Sequence, residues 1–176
     1  MTGSPTFETI LYRQLKSRDA EIYHALWLDA LRLAPSSFGS SLEEEQAKDT
    51  SEFARAIERN AIFGAWNGTR GLVGTAGLSV KAGAKTRHKA VLFRLFVAPD
   101  WRAKGIGYTL VQHVIREARP LVEAVQLAVA THNTAAVRLY DTCGFREYGL
   151  ERRALKVGDN DYVDEYLMEL TFDDGR

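Results

Sequence analysis

Apolar and polar positions change period several times along the 176-residue chain, and each change predicts a new element. Alternation over residues 7–15 predicts a first strand. Helical spacing follows and predicts an amphipathic helix of roughly four turns, with an apolar face formed by Tyr23, Leu26, Trp27, Ala30 and Leu31. Ser17 is the predicted N-cap of this helix, with Asp19 and Glu21 in its first turn.

A second helical region follows the turn-rich residues 34–41. Ser41 and Glu44 have the spacing of a capping box, and a further helical face is marked by Phe53, Ala54 and Ile57. We expect short helices in this region. The acidic residues 41–46 are predicted to form an exposed helix start.

Strand-like segments then come in series. Residues 61–66 and 71–80 flank the turn signal Asn67-Gly68, and residues 90–97 form the next apolar run. Because the connections are short, these three segments are predicted to form an antiparallel meander.

The period changes from strand to helix at Gly105. The helix carries an apolar stripe and ends before Pro120, with the stripe at Ile106, Leu110, Val111, Val114, Ile115 and Ala118. Residues 123–130 form the next predicted strand. The intervening length suits a crossover helix, so this strand is predicted to lie parallel to residues 90–97 in a right-handed βαβ unit.

The last third of the chain predicts one more helix and two more strands. Either Asn133 or Thr134 caps the helix, Gly144 ends it, and its apolar face holds Ala136, Leu139, Tyr140 and Cys143. The strands cover residues 145–155 and 162–170. The predicted fold class is therefore α/β (α+β), with a mixed central sheet flanked by helices.

Composition bounds the function without specifying it. Apolar residues make up 45% and charged residues 26% of the chain, which suits one globular domain over residues 1–176. The 23 basic and 23 acidic residues balance, so neither nucleic acid nor a membrane is an expected partner. The single cysteine and the absence of a leader pattern favour a cytoplasmic location, and the four histidines have no metal-ligand spacing.

The sequence RAKGIG, residues 102–107, lies at the change from strand to helix. A helix N-terminus presents unpaired N–H groups and a partial positive charge, and the two glycines allow close approach of an anion. A tight structural turn is the simpler interpretation of a glycine pair. Two nucleotide motifs do not fit: GxxxxGK[ST] is absent, and GxGxxG fails because Leu110 stands where the third glycine belongs.

The segment VAPDWRAKGIGYTLVQHVI resembles the central motif [RQ]xxGx[GA] of the GNAT family of acetyl-CoA-dependent N-acetyltransferases. A second segment, LAVATHNTAAVRLYDTCGF, resembles the next strand and helix of that family. The resemblance covers residues 90–145, and the predicted elements before and after it fit the same fold of about seven strands. It implies an acetyl-CoA co-substrate and no metal.

The resemblance also implies roles for particular residues. The coenzyme pyrophosphate is expected at the amides of Arg102, Ala103, Lys104, Gly105, Ile106, Gly107 and Tyr108. The pantetheine arm is expected beside Phe96 and Val97, with further coenzyme contacts from Asn133, Ala136 and Tyr140. The backbone N–H of Val97 is the implied oxyanion donor, and Tyr140 the implied general acid for the departing sulfur.

A proton moving from an ordinary tyrosine to an ordinary thiolate climbs roughly 1.5 pKa units, about 2 kcal/mol. A hydrogen bond from Tyr140 therefore serves as well as full transfer. Tyr140 also fits a core aromatic position, and Asn133 a simple N-cap.

The general base is not identified by the sequence. Some relatives in the family carry a glutamate near the start of the strand before the motif, and Val91 stands at that position here. Asp164 is a weak candidate base and fits better as a structural hydrogen-bond acceptor. Arg94, the only charged residue within residues 90–97, is expected to be paired.

The predicted function is acetyl transfer to a primary amine of a small molecule or a protein N-terminus, directly within a ternary complex. A non-catalytic acyl-CoA-binding or sensor module is the alternative, and a Rossmann-like nucleotide binder is a weaker one. The identity of the acceptor and a homodimeric state are left open.

Overall fold

The computed structural model describes residues 9–172. Its strands are β1 (Ile10–Gln14), β2 (Ala61–Asn67), β3 (Gly71–Val80), β4 (Lys89–Val97), β5 (Ala124–Ala130), β6 (Arg146–Lys156) and β7 (Tyr162–Thr171). Its α-helices are α1 (Ala20–Leu33), α2 (Leu42–Gln46), α3 (Thr50–Arg59), α4 (Ile106–Ala118) and α5 (Thr134–Thr142).

All seven strands form one mixed sheet in the order β1-β2-β3-β4-β5-β7-β6. The predicted meander is confirmed, because β2, β3 and β4 pair antiparallel in sequence order. The predicted parallel pair is also confirmed: β4 and β5 run parallel, with α4 as the crossover between them. The mixed α/β fold class is therefore correct.

Two apolar cores lie on opposite faces of the sheet. The adjacent residues Ile62 and Phe63 of β2 point to opposite faces and belong to different cores. One core joins the sheet to α1 and α3 through Tyr23, Trp27 and Phe53, and the other joins it to α4 and α5. The apolar stripe predicted for α4 is buried in this second core at all six positions.

The helix starts show where sequence patterns were right and where they were wrong. Ser41 caps α2, accepting the Glu44 N–H at 3.2 Å, and Asn133 caps α5, accepting the Ala136 N–H at 3.2 Å. The prediction that Ser17 caps α1 is wrong, because its hydroxyl donates to Glu58. Asp19 occupies the N-cap position instead, and its carboxylate accepts the Lys16 N–H at 2.8 Å rather than an N–H of α1.

Two other predictions need adjustment. The first strand was predicted over residues 7–15, of which residues 7 and 8 lie outside the described part of the chain, and β1 covers Ile10–Gln14. The acidic residues 41–46 are not a wholly exposed helix start, because Glu45 is only 2% exposed. Across residues 9–172, no helix has the length and apolar character needed to cross a membrane.

Candidate functional site

The central parallel strands pair over only a short length. Lys89, Ala90 and Val91 of β4 pair with the first three residues of β5, and no pairing follows beyond them. Each strand stays paired on its other side, β4 with β3 and β5 with β7. The sheet is therefore split between the carboxyl ends of β4 and β5, and one edge of each strand is open to a ligand.

A groove of about 590 Å³ occupies the split. Its walls come from elements on both faces of the sheet: the turn after α1, the end of β4, the start of α4 and the start of α5. Ten of the twelve predicted site residues line it, namely Phe96, Val97, Arg102, Ala103, Gly105, Ile106, Gly107, Tyr108, Asn133 and Ala136. The sequence motifs therefore converge on one groove.

A bulge in β4 reverses which backbone groups face this groove. Before the bulge, the Lys89 carbonyl faces the β3 side and accepts the Lys81 N–H. The His88 carbonyl faces the β5 side and accepts the Glu123 N–H. After it, the Ala98 N–H donates to Val73 on the β3 side at 2.9 Å. Neighbouring residues of a strand point their backbone groups to opposite sides. After the bulge Ala98 faces β3, so the N–H of Val97 faces the open split.

The extra residue of the bulge lies at Arg94 and Leu95. Both stand opposite the single residue Ala76 of β3, because Phe93 pairs with Gly77 and the pairing resumes at Phe96. Arg94 has φ of 50°, in the left-handed region that side chains disfavour. Its predicted pairing is confirmed, since its guanidinium donates to Glu45 at 2.8 Å.

Backbone amides at the start of α4 form the second part of the groove. Among the described residues, the six consecutive N–H groups of residues 103–108 donate to no backbone carbonyl, and no side chain caps the helix. Gly105 has φ of 76°, which turns the chain into the helix. At Gly107 a Cβ would come within 3.1 Å of Leu139, so a larger residue there would require the Leu139 side chain to shift. Unpaired amides at a helix N-terminus suit a phosphate group.

The two cations of this junction have different positions. Arg102 lines the groove and donates through Nε to the Val97 carbonyl at 2.9 Å. Lys104 is not among the groove residues, and its ammonium lies 4.6 Å from the centre of the Trp101 ring. Arg102 therefore ties the loop to the end of β4, whereas Lys104 places its charge over Trp101 and not among the groove walls.

Tyr140 lies in the core beside the groove and is not one of its lining residues. It is 6% exposed and packs edge-on against Phe145, with 5.8 Å between the ring centres. Burial, and then the nearby Cys143, raise the pKa of the Tyr140 phenol well above its usual value. The phenol is therefore neutral and able to donate a hydrogen bond. Burial also raises the pKa of the Cys143 thiol, so Cys143 is a poor nucleophile.

A second cavity of about 880 Å³ adjoins the groove. Phe38 lines both spaces, and the Ser36 hydroxyl of the cavity lies 3.3 Å from His132 Nε2 of the groove. Its other walls come from the end of α1, the start of α2 and the β6–β7 hairpin, including Arg32, Glu43, Leu155, Lys156 and Asp161. The motifs within residues 90–145 did not indicate this cavity, because its walls come from two other regions, residues 31–43 and 154–161.

The carboxylates near the split do not include an obvious base. Val91 lies in the paired part of β4, and Asp164 accepts the Arg153 N–H at 2.7 Å, as expected of a structural acceptor. Glu165 stands opposite Ala130 at the end of β5 and opposite Glu151 of β6. Burial, and then the Glu151 charge, raise the pKa of Glu165. Within residues 9–172, no group of three or more histidine, cysteine or acidic side chains could hold a metal ion.

Comparison with known sequences agrees with this geometry. The model of the acetyltransferase (GNAT) family matches residues 20–145, well over half of the chain. The matched part includes the split, the bulge and the amides at the start of α4. The chain belongs to the GNAT acetyltransferase family.

Two relatives indicate the neighbourhood within that family. The [ribosomal protein bS18]-alanine N-acetyltransferase of Escherichia coli is 37% identical over 65 residues, 36% of this chain and 44% of that enzyme. The N-alpha-acetyltransferase RimI of Mycobacterium tuberculosis is 36% identical over 106 residues, 60% of this chain and 65% of that protein. The chain thus covers less than two thirds of the length of each of these two relatives.

Solved structures share the fold over nearly the whole chain. The yncA protein of Salmonella typhimurium, solved with its cofactor acetyl-CoA, aligns with a TM-score of 0.82 over 96% of each chain at 18% identity. The ribosomal-protein-alanine N-acetyltransferase of Brucella melitensis aligns with a TM-score of 0.75 over 92% of this chain and 99% of its own, at 23% identity. At these identities the likeness establishes the fold alone.

Proposed function

We propose that the protein is an acetyl-CoA-dependent N-acetyltransferase that acts on a primary amine by direct transfer. The observation that carries the proposal is the split between β4 and β5, where the Val97 N–H faces a groove that continues to the free amides at the start of α4. These two features suit the two ends of an acyl-coenzyme A: an extended amide arm and a pyrophosphate.

Acetyl-CoA, when bound, supplies an activated acetyl group as a thioester. The amides of residues 103–108 and the ordered loop held by Arg102 would bind the pyrophosphate, with Gly105 and Gly107 allowing close approach. The open edge of β4 at Val97 would pair with the amides of the pantetheine arm. Asn133 caps α5 through its side-chain oxygen, which leaves its amide nitrogen free for a coenzyme contact.

Transfer forms a C–N bond and breaks a C–S bond, while one proton leaves the amine and one reaches the thiolate. The Val97 N–H points into the split, where it can stabilise negative charge on the acetyl oxygen. Tyr140, kept neutral by burial, can donate a hydrogen bond toward the sulfur. The buried Cys143 with its raised pKa favours direct transfer over an acetyl-cysteine intermediate.

The adjoining cavity is the proposed acceptor site. It reaches the groove at Phe38 and is larger than the groove itself, at about 880 Å³ against 590 Å³. Its walls carry both signs of charge and several hydroxyls, a mixture that suits a peptide better than a compact polycation. Of the two relatives at 36–37% identity, one is named for acetylating an alanine of ribosomal protein bS18 and the other is named an N-alpha-acetyltransferase, which favours a protein N-terminus as the acceptor.

A thiol-release assay tests this function. Acetyl-CoA is incubated with the protein and a panel of N-terminal peptides, polyamines and amino acids, and free thiol is measured. We expect release with at least one peptide and an acetylated α-amine by mass spectrometry. Binding of acetyl-CoA without thiol release from any amine would instead indicate the acyl-CoA sensor. Stabilisation by NAD or ATP but not by CoA would contradict both.

A further inference from the structure

The bulge that turns Val97 toward the groove depends on a residue in an unfavourable conformation. Arg94 has φ of 50°, and only contacts elsewhere in the protein can keep a non-glycine residue there at the centre of a strand. The neighbouring strand β3 has glycine at Gly74 and Gly77, where there is little room for a side chain. At the bulge, by contrast, an arginine occupies a conformation that glycine would adopt more easily. The arginine side chain is therefore the feature to explain.

The side chain of Arg94 is held by three elements on one face of the sheet. Its guanidinium donates to Glu45 of α2 at 2.8 Å and to the Tyr23 hydroxyl of α1 at 3.3 Å. The same group lies 4.6 Å from the ring centre of Trp27 and 5.5 Å from that of Phe53 in α3. Arg94 also accepts, through its carbonyl, the Thr75 hydroxyl at 3.3 Å. Side chain and backbone are both fixed at the bulge.

Glu45, which accepts from Arg94, is a buried carboxylate with two ion pairs. It is 2% exposed, receives a second ion pair from Lys48 at 2.9 Å, and has one carboxylate oxygen buried without a hydrogen-bond partner among the described residues. A buried ion pair adds little to stability compared with apolar residues of similar size, because both charges lose their water. Such a pair is better explained by the geometry it imposes.

We propose that Arg94 and Glu45 are positioning residues that keep the extra residue of the bulge in β4. The bulge makes the Val97 N–H face the acyl donor rather than β3. The catalytic consequence of this role rests on the proposed acetyltransferase function, whereas the retention of the bulge does not. Neither residue lines the groove, so neither is proposed to touch the coenzyme. Leu42 and Glu43 of α2 line the acceptor cavity, so α2 connects that cavity with the bulge.

Arg153 provides a matched control. It also has a left-handed conformation, with φ of 54°, at an irregularity of an edge strand. Its guanidinium likewise stacks on an aromatic ring, 3.8 Å from the centre of Tyr162, but it belongs to β6 and does not line the groove. Alanine at either position removes the side-chain contacts but keeps the cost of the left-handed conformation, so it tests whether those contacts hold the backbone there.

The first measurement is amide hydrogen exchange and does not need activity. In the wild-type protein the Ala98 N–H, bonded to Val73, should be protected, and the Val97 N–H should become protected only when CoA is added. In Arg94→Ala and in Glu45→Gln we expect Ala98 protection to fall at least tenfold. Arg153→Ala should leave it unchanged, and Arg94→Lys should retain part of it.

The second measurement is steady-state kinetics. Arg94→Ala and Glu45→Gln should each lower kcat at least tenfold, with KM for acetyl-CoA within threefold of wild type, and the double variant should be no worse than either alone. Unchanged Ala98 protection in Arg94→Ala, or equal losses in Arg153→Ala, would overturn the proposal. If the wild-type protein transfers no acetyl group, the proposed function fails, and the exchange pattern still decides the role of Arg94.

Discussion

Arg102 donates its Nε hydrogen to the carbonyl of Val97, which precedes it by five residues, at 2.9 Å. The contact closes the loop between β4 and α4, and the guanidinium also lies 5.7 Å from the Phe96 ring centre. The free amides of residues 103–108 follow directly after this anchored point. Arg102 therefore fixes the loop that presents those amides to the groove.

Replacing Arg102 should weaken coenzyme binding more than replacing the neighbouring cation. For Arg102→Ala we expect the Kd for CoA to rise about tenfold, the effect of losing one charge-assisted hydrogen bond of roughly 1.5 kcal/mol. Lys104→Ala, which removes a cation over Trp101 but nothing from the groove wall, should change Kd less than twofold. Isothermal titration calorimetry measures both. A larger effect at Lys104 would mean that side-chain charge, not loop geometry, binds the coenzyme.

The two glycines of the junction should respond oppositely to alanine. A Cβ at Gly105 meets nothing within 4 Å, but φ of 76° makes alanine strained, so Gly105→Ala should lower stability by about 1 kcal/mol and Tm by about 3 °C. Gly107→Ala gains helix propensity and should keep Tm, yet it pushes Leu139 and should raise the Kd for CoA several-fold.

Thermal unfolding and calorimetry on the two glycine variants separate these effects. Gly105→Asn should recover part of the lost stability, since asparagine tolerates the left-handed region. Loss of Tm at Gly107 with normal CoA binding would contradict a role for that glycine in the groove.

Tyr140→Phe should lower kcat about 10- to 100-fold while the Kd for acetyl-CoA stays within twofold, because the phenol is expected to act on the departing sulfur. Tyr108→Phe is the control: Tyr108 lines the groove and is 45% exposed, and its hydroxyl should be dispensable. Since burial raises the pKa of Tyr140, kcat should show no alkaline loss from its ionisation up to about pH 10. Equal rates for Tyr140→Phe and wild type would remove Tyr140 from the mechanism.

Glu165 should make the fold sensitive to pH. Its folded pKa is raised by burial and then by Glu151, so this carboxyl favours the folded state below its unfolded pKa of about 4.3, and that contribution is lost as pH rises through the folded pKa. At pH 7 the ionised group is therefore unfavourable, and Glu165→Gln should raise the free energy of unfolding by on the order of 0.5 kcal/mol. The gain should disappear near pH 4.

Urea unfolding at pH 4 and pH 7 tests this sign. Glu169 is the matched control on the same strand, because it accepts from Gln126 at 2.7 Å and lies 3.6 Å from the Lys89 ammonium. Glu169→Gln should give no stabilisation at pH 7. A stabilisation by Glu165→Gln that is greater at pH 4 than at pH 7 would contradict the direction of the shift.

The sequence predicted the elements around the groove because each has its own local signal. The period changes at Gly105, and Gly144 ends α5 with φ of 97°, as its position after an apolar face indicated. Local signals failed where several side chains compete. Ser17 has the residue type of a cap, but its hydroxyl donates to Glu58, and the N-cap position of α1 is held by Asp19, whose carboxylate is bound by Arg13 at 2.7 Å.

The bulge could not be predicted from sequence. Arg94 stands in an otherwise regular apolar run, and its left-handed conformation is imposed by α1, α2 and α3, which precede it by dozens of residues. The same holds for Glu165, whose neighbour Glu151 depends on a register with two irregularities between β6 and β7. Which backbone groups and side chains face a site depends on strand register and bulges, and these cannot be predicted before the partner elements are known.

The split in the sheet also constrains what can be an acyl donor. The part of β4 that is unpaired on its β5 side, residues 92–97, runs for roughly 20 Å at about 3.3 Å per residue. A molecule that fills a gap of this length must carry its own amide donors and acceptors at intervals close to those of a peptide. Short thioesters without such an arm would leave the strand edges unpaired, so carrier length, and not only acyl reactivity, is selected at this site.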